Sequence, residues 1–229
     1  MLKHPITDVF FDLDHTLWDF ERNSALTYQK IFADHGIGVG LEDFLQVYVP
    51  RNLQYWKLYR EGQIGKESLR YQRLRSVFDQ LGYGISDAQI DLLSGAYIEE
   101  LSTHTHLMPD AHEILDYLRD RYRLHIITNG FQEVQFRKLR NCRIDHFFRA
   151  VIHSERAGVQ KPHRRIFELA LEEAGVAAHR AVMIGDSLEA DILGAQAVGL
   201  QALHFNVHDE PQHDYCPIIR HLREIKIHL

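Results

Sequence analysis

The chain has 229 residues, 45% hydrophobic and 25% charged, so it is long enough for a substantial core and has a globular composition. Its formal net charge of −6 gives no electrostatic basis for binding a nucleic-acid polymer. It has only two cysteines, which predicts no disulfides and a reducing compartment. Aspartates interrupt the N-terminal apolar stretch, so no signal peptide is expected, and no apolar run is long enough to span a bilayer. We therefore expect a cytoplasmic protein without membrane contact.

The first predicted element is a buried strand at Ile6–Phe11, and a long helical segment follows it. Helical periodicity runs almost without interruption from Asn23 to about Thr105, and its breaks fall at turn residues, with Ser86 placed as an N-cap. The predicted helices are Ser24–His35, Leu41–Glu61, Lys66–Leu81 and Asp87–Ser102. The sequence therefore predicts an all-helical cap domain at residues 19–105.

The pattern changes after Pro109 to helices that alternate with short apolar strands. The predicted helices are Pro109–Arg119, Gln132–Arg140, Arg164–Glu173 and Glu189–Val198. The predicted strands are Leu124–Ile127, Ala150–His153, Ala181–Ile184 and Gln201–Phe205. Repeated β-α-β units with nearly continuous apolar strands are typical of a parallel sheet covered on both faces. We therefore predict an α/β protein with a Rossmann-like doubly wound parallel-sheet core at residues 1–18 and 106–229, into which the all-helical cap is inserted.

Two aspartates stand directly after the first predicted strand. Asp12 and Asp14 are two residues apart, and side chains at i and i+2 of an extended chain share one side. Two carboxylates at the end of a buried strand are costly to keep ionised unless a cation compensates them. If the chain turns after Asp12, Asp14 can reach over the group that Asp12 attacks, which is the arrangement of a nucleophile with its own general acid and base.

Polar residues also follow later predicted strands, and ligands of open α/β sheets bind beyond the carboxyl ends of the strands. Thr128-Asn129-Gly130 offers a hydroxyl and a backbone amide that can hold phosphoryl oxygens. Lys161 offers an ammonium that can offset the charge of both a carboxylate and a phosphate. Asp186 completes a set of hard oxygen ligands suited to Mg²⁺.

The order of these residues resembles the motifs of the haloacid dehalogenase superfamily. The matching motifs span the whole chain and are Asp12-x-Asp14-x-Thr16, Thr128-Asn129-Gly130, Lys161-Pro162 and Gly185-Asp186-Ser187-x-x-x-Asp191. The resemblance implies that Asp12 is a nucleophile that becomes an aspartyl-phosphate and that Asp14 is first the general acid and then the base. It also implies that Thr128 and the amide of Asn129 grip the phosphate while Lys161 steadies the charge.

The same resemblance implies a Mg²⁺ site that is held by Asp12, the main-chain carbonyl of Asp14 and Asp186. Two neighbouring residues have two interpretations each. Asp191 either contacts the metal directly or supports the helix that follows Asp186. Thr16 either supports the site from behind or satisfies the backbone of its own turn.

The carboxylate at position 14 narrows the reaction. Asp14 can protonate a leaving alkoxide and later activate water, whereas dehalogenases and phosphonate-cleaving members of the superfamily lack an acid there and transport ATPases have a threonine. Asp14 therefore favours a phosphatase or a phosphomutase. A noncatalytic phosphate-binding module on this fold is expected to have lost Asp12 or Asp14, and both are present.

Longer stretches resemble the pyrimidine 5′-nucleotidase branch of the superfamily, which hydrolyses noncanonical nucleoside monophosphates. They are Phe11–Glu21, Thr128–Gln132 and Ser154-Glu155-x-x-Gly158-x-x-Lys161-Pro162. This resemblance implies a Mg²⁺-dependent phosphomonoesterase whose substrate is a small molecule, a nucleoside 5′-monophosphate of the pyrimidine type. A sugar-phosphate phosphatase or phosphomutase is the alternative, a noncatalytic binding module is the second alternative, and the sequence predicts no oligomeric state.

Aromatic residues and histidines give further expectations. Trp18 and Phe20 lie beside the nucleophile and are expected to line the substrate mouth. Most aromatic residues of the second predicted helix are expected to pack against the other helices; they are Phe44, Tyr48, Tyr55, Trp56 and Tyr59. The spacing of the C-terminal histidines fits no standard zinc site, so we expect ordinary surface residues at His204, His208 and His213. His15 is expected to be structural or to line the cleft.

Overall fold

The computed structural model describes residues 4–229, and these form one parallel sheet of six strands together with a set of helices. The strands are β1 (Asp8–Phe11), β2 (Arg123–Thr128), β3 (Phe148–His153), β4 (Ala181–Gly185), β5 (Gln201–Phe205) and β6 (Ile218–Ile219). Their order in the sheet is β3-β2-β1-β4-β5-β6. The chain runs outward from β1 to β3 and then returns to place β4 on the other side of β1, so the strand order reverses at the centre of the sheet.

The central strands are buried along their whole length, as expected for a parallel sheet that is covered on both faces. All four residues of β1 and all five of β4 are buried. The two strands are in parallel register, with Phe11 opposite Ile184 on β4 and opposite Ile126 on β2. The residues that follow these strands therefore leave the sheet side by side at its carboxyl edge.

Helices in the sheet-containing part of the chain cover the strands. They are α5 (Ala111–Arg119), α6 (Gln132–Asn141), α7 (Ser154–Ala157), α8 (Arg164–Ala174) and α9 (Gly194–Gln196). Ile166 and Phe167 of α8 pack in one apolar cluster with Phe10, Ile127 and Ile152 of the sheet. The helix α5 contacts β2 through a separate set of buried apolar residues. This arrangement confirms the predicted Rossmann-like doubly wound parallel sheet.

A segment of four helices lies in the sequence between β1 and β2. The helices are α1 (Phe20–His35), α2 (Leu41–Arg60), α3 (Lys66–Gln80) and α4 (Asp87–Glu100). Ser86 caps α4 as predicted, in a capping box with Gln89 that satisfies backbone amides at both residues. Tyr28, Phe44 and Tyr48 are buried against one another in an aromatic core, whereas Tyr55, Trp56 and Tyr59 are only partly buried.

The chain divides into two compact units. One comprises the residues up to Phe20 together with Thr105–Leu229, and the other comprises Glu21–His104. The first unit contains the whole sheet, and the second contains most of α1 and all of α2, α3 and α4. Within residues 4–229, no helix combines the length and apolar character required to cross a membrane.

The structure differs from the sequence prediction after β4 and near the C-terminus. The predicted helix Glu189–Val198 is a π-helix at Leu188–Leu193 followed by the short α9, because Ile192 N donates to Ser187 O five residues earlier. The strand β6 has only two residues and pairs with β5, and a 3₁₀ segment follows at Leu222–Ile227. Such short elements carry too few residues for a periodic pattern.

Candidate active site

Asp12 is positioned by its backbone at the carboxyl edge of the sheet. Its N–H donates to Ile184 O of β4 at 2.9 Å, and the chain then turns because Leu17 N and Trp18 N both donate to Leu13 O. His15 has a φ of 61°, in the left-handed region that a residue other than glycine seldom adopts. The turn separates the two aspartates, so Asp14 is directed to a different set of partners from Asp12.

Lys161 joins three elements at the centre of the site. Its Nζ lies 2.6 Å from Asp12 Oδ1 and 2.6 Å from Asp191 Oδ1, and it donates to Ile127 O at 2.7 Å. The residue is 2% exposed. Burial alone lowers the pKa of Lys161, but the charges of Asp12 and Asp191 outweigh it and raise the pKa, so the ammonium stays charged.

The side chain of Asn129 fixes the backbone on which Lys161 sits. Asn129 Oδ1 accepts from Lys161 N at 2.7 Å, and Asn129 Nδ2 donates to Lys161 O at 3.0 Å. The segment after β2 and the segment before α8 are thereby joined at the site. The Asn129 side chain thus holds these two segments together, whereas the sequence indicated a role only for its backbone amide.

Three buried carboxylates lie together at the strand ends. One oxygen each of Asp12, Asp186 and Asp191 lies within 4.8 Å of the others. Burial, followed by the charges of the other two carboxylates, raises the pKa of Asp12, while Lys161 lowers it; the net pKa is well above the usual value. This repulsion and the hard oxygen donors fit a divalent cation such as Mg²⁺, which combines a few carboxylates with water and phosphate oxygens.

Asp186 is held by donors on both of its carboxylate oxygens. Thr16 Oγ1 donates to Oδ1 at 3.2 Å, and His208 Nε2 donates to Oδ2 at 2.9 Å. Burial alone raises the pKa of Asp186, but the hydrogen bond from His208 and the charges of His15, His208 and Lys161 lower it below the usual value. Thr16 therefore contacts the acidic cluster directly, in addition to its place in the turn.

Asp191 is both close to the other carboxylates and held by its neighbours. Its Oδ2 accepts from Ser187 N at 3.1 Å, and its Oδ1 faces Lys161. A Cβ on Gly185 would lie 2.3 Å from the Asp191 carboxylate, so this close approach requires glycine at the end of β4. The π-helix brings Asp191 into the cluster while its carboxylate supports the start of the same helix.

Histidines of β5 and of the segment after it are part of the site, which corrects the expectation that His204, His208 and His213 are ordinary surface residues. His204 is fully buried, and its Nε2 lies 3.0 Å from Asp186 O. Tyr215 N donates to His213 Nδ1, so His213 Nε2 carries its proton and donates to His204 Nδ1 at 2.9 Å. His204 Nε2 then carries the proton that the Asp186 carbonyl accepts, and this chain of hydrogen bonds fixes the backbone of Asp186.

Asp14 is held by two residues of α6 that the sequence analysis did not predict. Lys138 Nζ lies 2.5 Å from Asp14 Oδ1, and Gln135 Nε2 donates to Asp14 Oδ2 at 2.9 Å. Gln135 and Lys138 are three residues apart and are both buried, so they share one face of the helix. The only signal in the sequence was the three-residue spacing of these two polar residues within the predicted helix Gln132–Arg140.

Thr128 ends β2 and receives two hydrogen bonds. Its Oγ1 accepts from Gly130 N at 3.1 Å and from Gln135 Nε2 at 2.7 Å. A Cβ on Gly130 would lie 2.2 Å from Gln135 Nε2, so the side chain of Gln135 can approach only because residue 130 is glycine. The Gln135 amide therefore joins Thr128 to Asp14, and Gly130 N donates to the same Thr128 hydroxyl.

Trp18 lies beneath Lys138, which corrects the expectation that it lines the substrate mouth. Its side chain is fully buried, and Lys138 Nζ lies 4.0 Å from the centroid of its ring. Phe20 is 7% exposed and also faces Lys138, at 5.6 Å. The expectation failed because the turn after Asp12 directs both rings inward, where they stabilise a buried ammonium.

Comparison with known proteins agrees with this arrangement. Residues 8–199 match the profile of the haloacid dehalogenase-like hydrolases. The pyrimidine 5′-nucleotidase YjjG of Escherichia coli is 33% identical over 89% of this chain and 88% of its own length, and the pyrimidine 5′-nucleotidase PynA of Streptococcus pneumoniae is 30% identical over 90% and 86%. A glyceraldehyde 3-phosphate phosphatase of Pyrococcus abyssi is 33% identical over 86% of this chain and 80% of its own length.

One solved structure is similar to this chain over nearly its whole length. YfnB of Bacillus subtilis, solved bound to magnesium, superposes with a TM-score of 0.88 over 98% of each chain at 28% identity. The profile match covers most of the sheet-containing unit and the helical unit between its two segments. This chain therefore belongs to the haloacid dehalogenase-like hydrolases.

Proposed function

We propose that this phosphoric monoester hydrolase acts on nucleoside 5′-monophosphates, with preference for pyrimidines, through an aspartyl-phosphate on Asp12. The observation that carries the proposal is the pairing of Asp12 with Lys161 at the end of the central strand, with Asp14 on the following turn. The nucleotidase relatives supply the substrate class, because their similarity extends over nearly nine tenths of the chain.

In the first half-reaction, an oxygen of Asp12 attacks phosphorus in line with the ester oxygen. The new bond joins Asp12 to phosphorus, the bond from phosphorus to the ester oxygen breaks, and Asp14 gives its proton to the leaving alkoxide. Lys161 stays charged beside Asp12 and offsets the negative charge that gathers there. Thr128 and the backbone amide of Asn129 hold the phosphoryl oxygens in the attacking orientation.

In the second half-reaction, water attacks the phosphorus of the aspartyl-phosphate. Asp14 is now ionised and takes a proton from that water, the bond between phosphorus and the Asp12 oxygen breaks, and inorganic phosphate leaves. Both steps require Asp14 to stay within reach of the same phosphorus. Its anchoring by two buried residues of α6 supports this dual role.

Asp12, Asp186 and the main-chain carbonyl of Asp14 are the residues that would hold Mg²⁺, and one oxygen of Asp191 lies within 4.8 Å of oxygens of Asp12 and Asp186. When bound, Mg²⁺ supplies charge neutralisation between the carboxylates and the phosphoryl oxygens. Thr16 and His208 orient Asp186 for this purpose. We propose the helical segment, residues 19–105, as the cap that excludes water and selects the leaving group.

A sugar-phosphate phosphatase is the second candidate, because the Pyrococcus abyssi relative of that kind has the same 33% identity to this chain as the Escherichia coli nucleotidase, over a somewhat shorter match. The core residues contact only the phosphate in the proposed mechanism, so they do not distinguish the two substrates. Discrimination must come from contacts to the leaving group. Stacking of a pyrimidine on an aromatic ring contributes about 1–3 kcal/mol, which predicts a preference and not absolute specificity.

The test is phosphate release from a panel of esters by the purified protein with Mg²⁺. The panel contains uridine and thymidine monophosphates, purine monophosphates, glyceraldehyde 3-phosphate and a hexose phosphate, and Asp12→Asn protein prepared in parallel is the control. We expect the highest kcat/KM for a pyrimidine monophosphate. A sugar phosphate or purine nucleotide that exceeds every pyrimidine by about tenfold would contradict the nucleotidase proposal. Activity retained by Asp12→Asn would contradict the covalent mechanism.

A further inference from the structure

The helix α6 presents two buried polar side chains to Asp14. Gln135 is 1% exposed and Lys138 is 2% exposed, and each occupies one oxygen of the Asp14 carboxylate. The Asp14 side chain itself is 21% exposed, so its partners are more deeply buried than it is. A carboxylate at the edge of the site is thus fixed from the protein side, and its accessible side remains toward solvent.

Gln135 determines more than the position of Asp14. Because a carboxylate only accepts hydrogen bonds, the amide nitrogen of Gln135 must face Asp14, and its second proton is directed to Thr128 Oγ1 at 2.7 Å. Thr128 Oγ1 also accepts from Gly130 N, so both of its acceptor positions are filled. Thr128 Oγ1 can therefore form a further hydrogen bond only by donating its proton, which is available to an anionic ligand.

Lys138 is fixed from below by aromatic rings. Its Nζ lies 4.0 Å from the Trp18 ring centroid and 5.6 Å from that of Phe20. A buried ammonium is costly without a counter-charge, and an aromatic face attracts it further; here Asp14 supplies the first and Trp18 the second. The ammonium therefore holds Asp14 Oδ1 in one place, while Oδ2 accepts from Gln135.

We propose that Gln135 and Lys138 are positioning residues. Gln135 couples the acid/base Asp14 to Thr128, so that the Thr128 hydroxyl can only donate, to the phosphoryl group. Lys138 anchors Asp14 through its other carboxylate oxygen, Oδ1. The proposal rests on the proposed function, because it assigns roles for phosphoryl transfer. It predicts that the two residues affect phosphate binding and turnover through Thr128 and Asp14, and not through folding.

The first experiment compares Gln135→Glu with Gln135→Met. Glutamate keeps the shape of glutamine but its carboxylate cannot donate. The carboxylate would accept the Thr128 hydroxyl proton, which then no longer points to the phosphoryl group, and it would repel the Asp14 carboxylate. We expect Gln135→Glu to lower kcat by on the order of 10²-fold and to weaken inhibition by inorganic phosphate. Gln135→Met removes the donor without adding charge, so it has a smaller effect and serves if the glutamate variant does not fold. Asn141→Asp makes the same amide-to-carboxylate change at an exposed position of α6 and should match wild type.

A double-mutant cycle with Thr128→Val separates positioning from packing. If Gln135 acts through the Thr128 hydroxyl, Gln135→Met should lose most of its effect on phosphate inhibition once that hydroxyl is absent. Effects of the two substitutions that multiply in full would overturn the proposed coupling. Phosphate inhibition unchanged in both Gln135 variants would overturn it as well.

The matching experiment for Lys138 uses Lys138→Met, with the exposed Arg140→Met as its control. We expect kcat to fall roughly 10- to 100-fold with KM nearly unchanged, because the substitution frees the acid/base and leaves the phosphate contacts in place. In an Asp14→Asn background the same substitution should cost little. Equal losses in both backgrounds, or a loss that tracks the fall in Tm, would overturn the role. In every case wild-type phosphate release is measured first. If wild type releases no phosphate, the proposed function fails. If wild type is active and the variants match it, the positioning role fails.

Discussion

His208 Nε2 lies 2.9 Å from Asp186 Oδ2, so a ring from the segment after β5 donates to a carboxylate that follows β4. We predict that His208→Ala weakens Mg²⁺ binding by roughly 10-fold or more, because groups that orient a ligating carboxylate affect metal affinity on that scale. Isothermal titration calorimetry with Mg²⁺ alone measures this. His208→Gln places an amide donor near the same position and should restore part of the affinity, whereas the exposed His221→Asn is the control. Equal affinity in wild type and His208→Ala would contradict the prediction.

We predict that Asp12→Asn abolishes turnover and leaves the fold intact. An amide of nearly the same size cannot form the aspartyl-phosphate. Because the Asp12 carboxylate is crowded by Asp186 and Asp191, removing its charge should leave Tm in the absence of Mg²⁺ no lower than that of wild type. Steady-state assays and thermal unfolding measure the two effects. Substantial activity in protein shown by mass spectrometry to be free of deamidated Asp12 would contradict the covalent mechanism.

We predict that Asp14→Asn slows both half-reactions. A single general acid or base contributes roughly 10²–10⁴-fold, and Asp14 is proposed to serve first as one and then as the other. Rapid-quench measurement of aspartyl-phosphate formation and decay separates the two steps. A normal rate of phospho-enzyme hydrolysis in the variant would show that another group is the base.

Mg²⁺ should stabilise the folded protein. Asp12, Asp186 and Asp191 approach one another only in the native state, so the ion binds the folded chain far better than the unfolded one. At a Mg²⁺ concentration 100 times the Kd, the stabilisation is about 2.7 kcal/mol. Thermal unfolding with Mg²⁺ and after exhaustive chelation measures it, and Asp186→Ala should remove most of the difference. Identical Tm values with and without Mg²⁺ in wild type would contradict the assigned metal site.

The parts of the site that the sequence predicts are those at strand ends. The sequence alone is sufficient to place Asp12, Thr128 and Asp186 together, because neighbouring parallel strands end at one edge of the sheet. Because each of these residues ends or follows a predicted strand, it is expected at the carboxyl edge of the sheet, and its side-chain chemistry indicates the kind of ligand. Their roles remain predictions.

The other contacts depend on packing between distant segments. Lys138 meets Asp14 from 124 positions away in the chain, on a helix whose rotation about its axis is set by the apolar residues beneath it. The prediction for Trp18 was wrong because burial of a ring beside a nucleophile depends on the turn that carries it. His208 lies in the irregular segment after β5, where no periodicity indicates which way a side chain points.

The last prediction concerns acid stability. His125 on β2 is 1% exposed, its Nε2 lies 2.9 Å from Asp8 Oδ1, and its Nδ1 has no hydrogen-bond partner among the described residues. Burial lowers the pKa of His125, although the hydrogen bond to Asp8 and its charge partly oppose this. The native state therefore favours the neutral ring, whereas the unfolded chain protonates near the ordinary value of about 6.5.

Because the unfolded state binds more protons, the contribution of His125 is complete above about pH 6.5 and is lost as the pH falls below that value. We expect the Tm of wild type to fall between pH 7.5 and pH 5.5, and the Tm difference between wild type and His125→Gln to shrink over the same interval. Glutamine can keep a donor toward Asp8 but does not titrate. The exposed His221→Asn is the control. A wild-type advantage over His125→Gln that grows as the pH falls would contradict the assigned neutral state of His125.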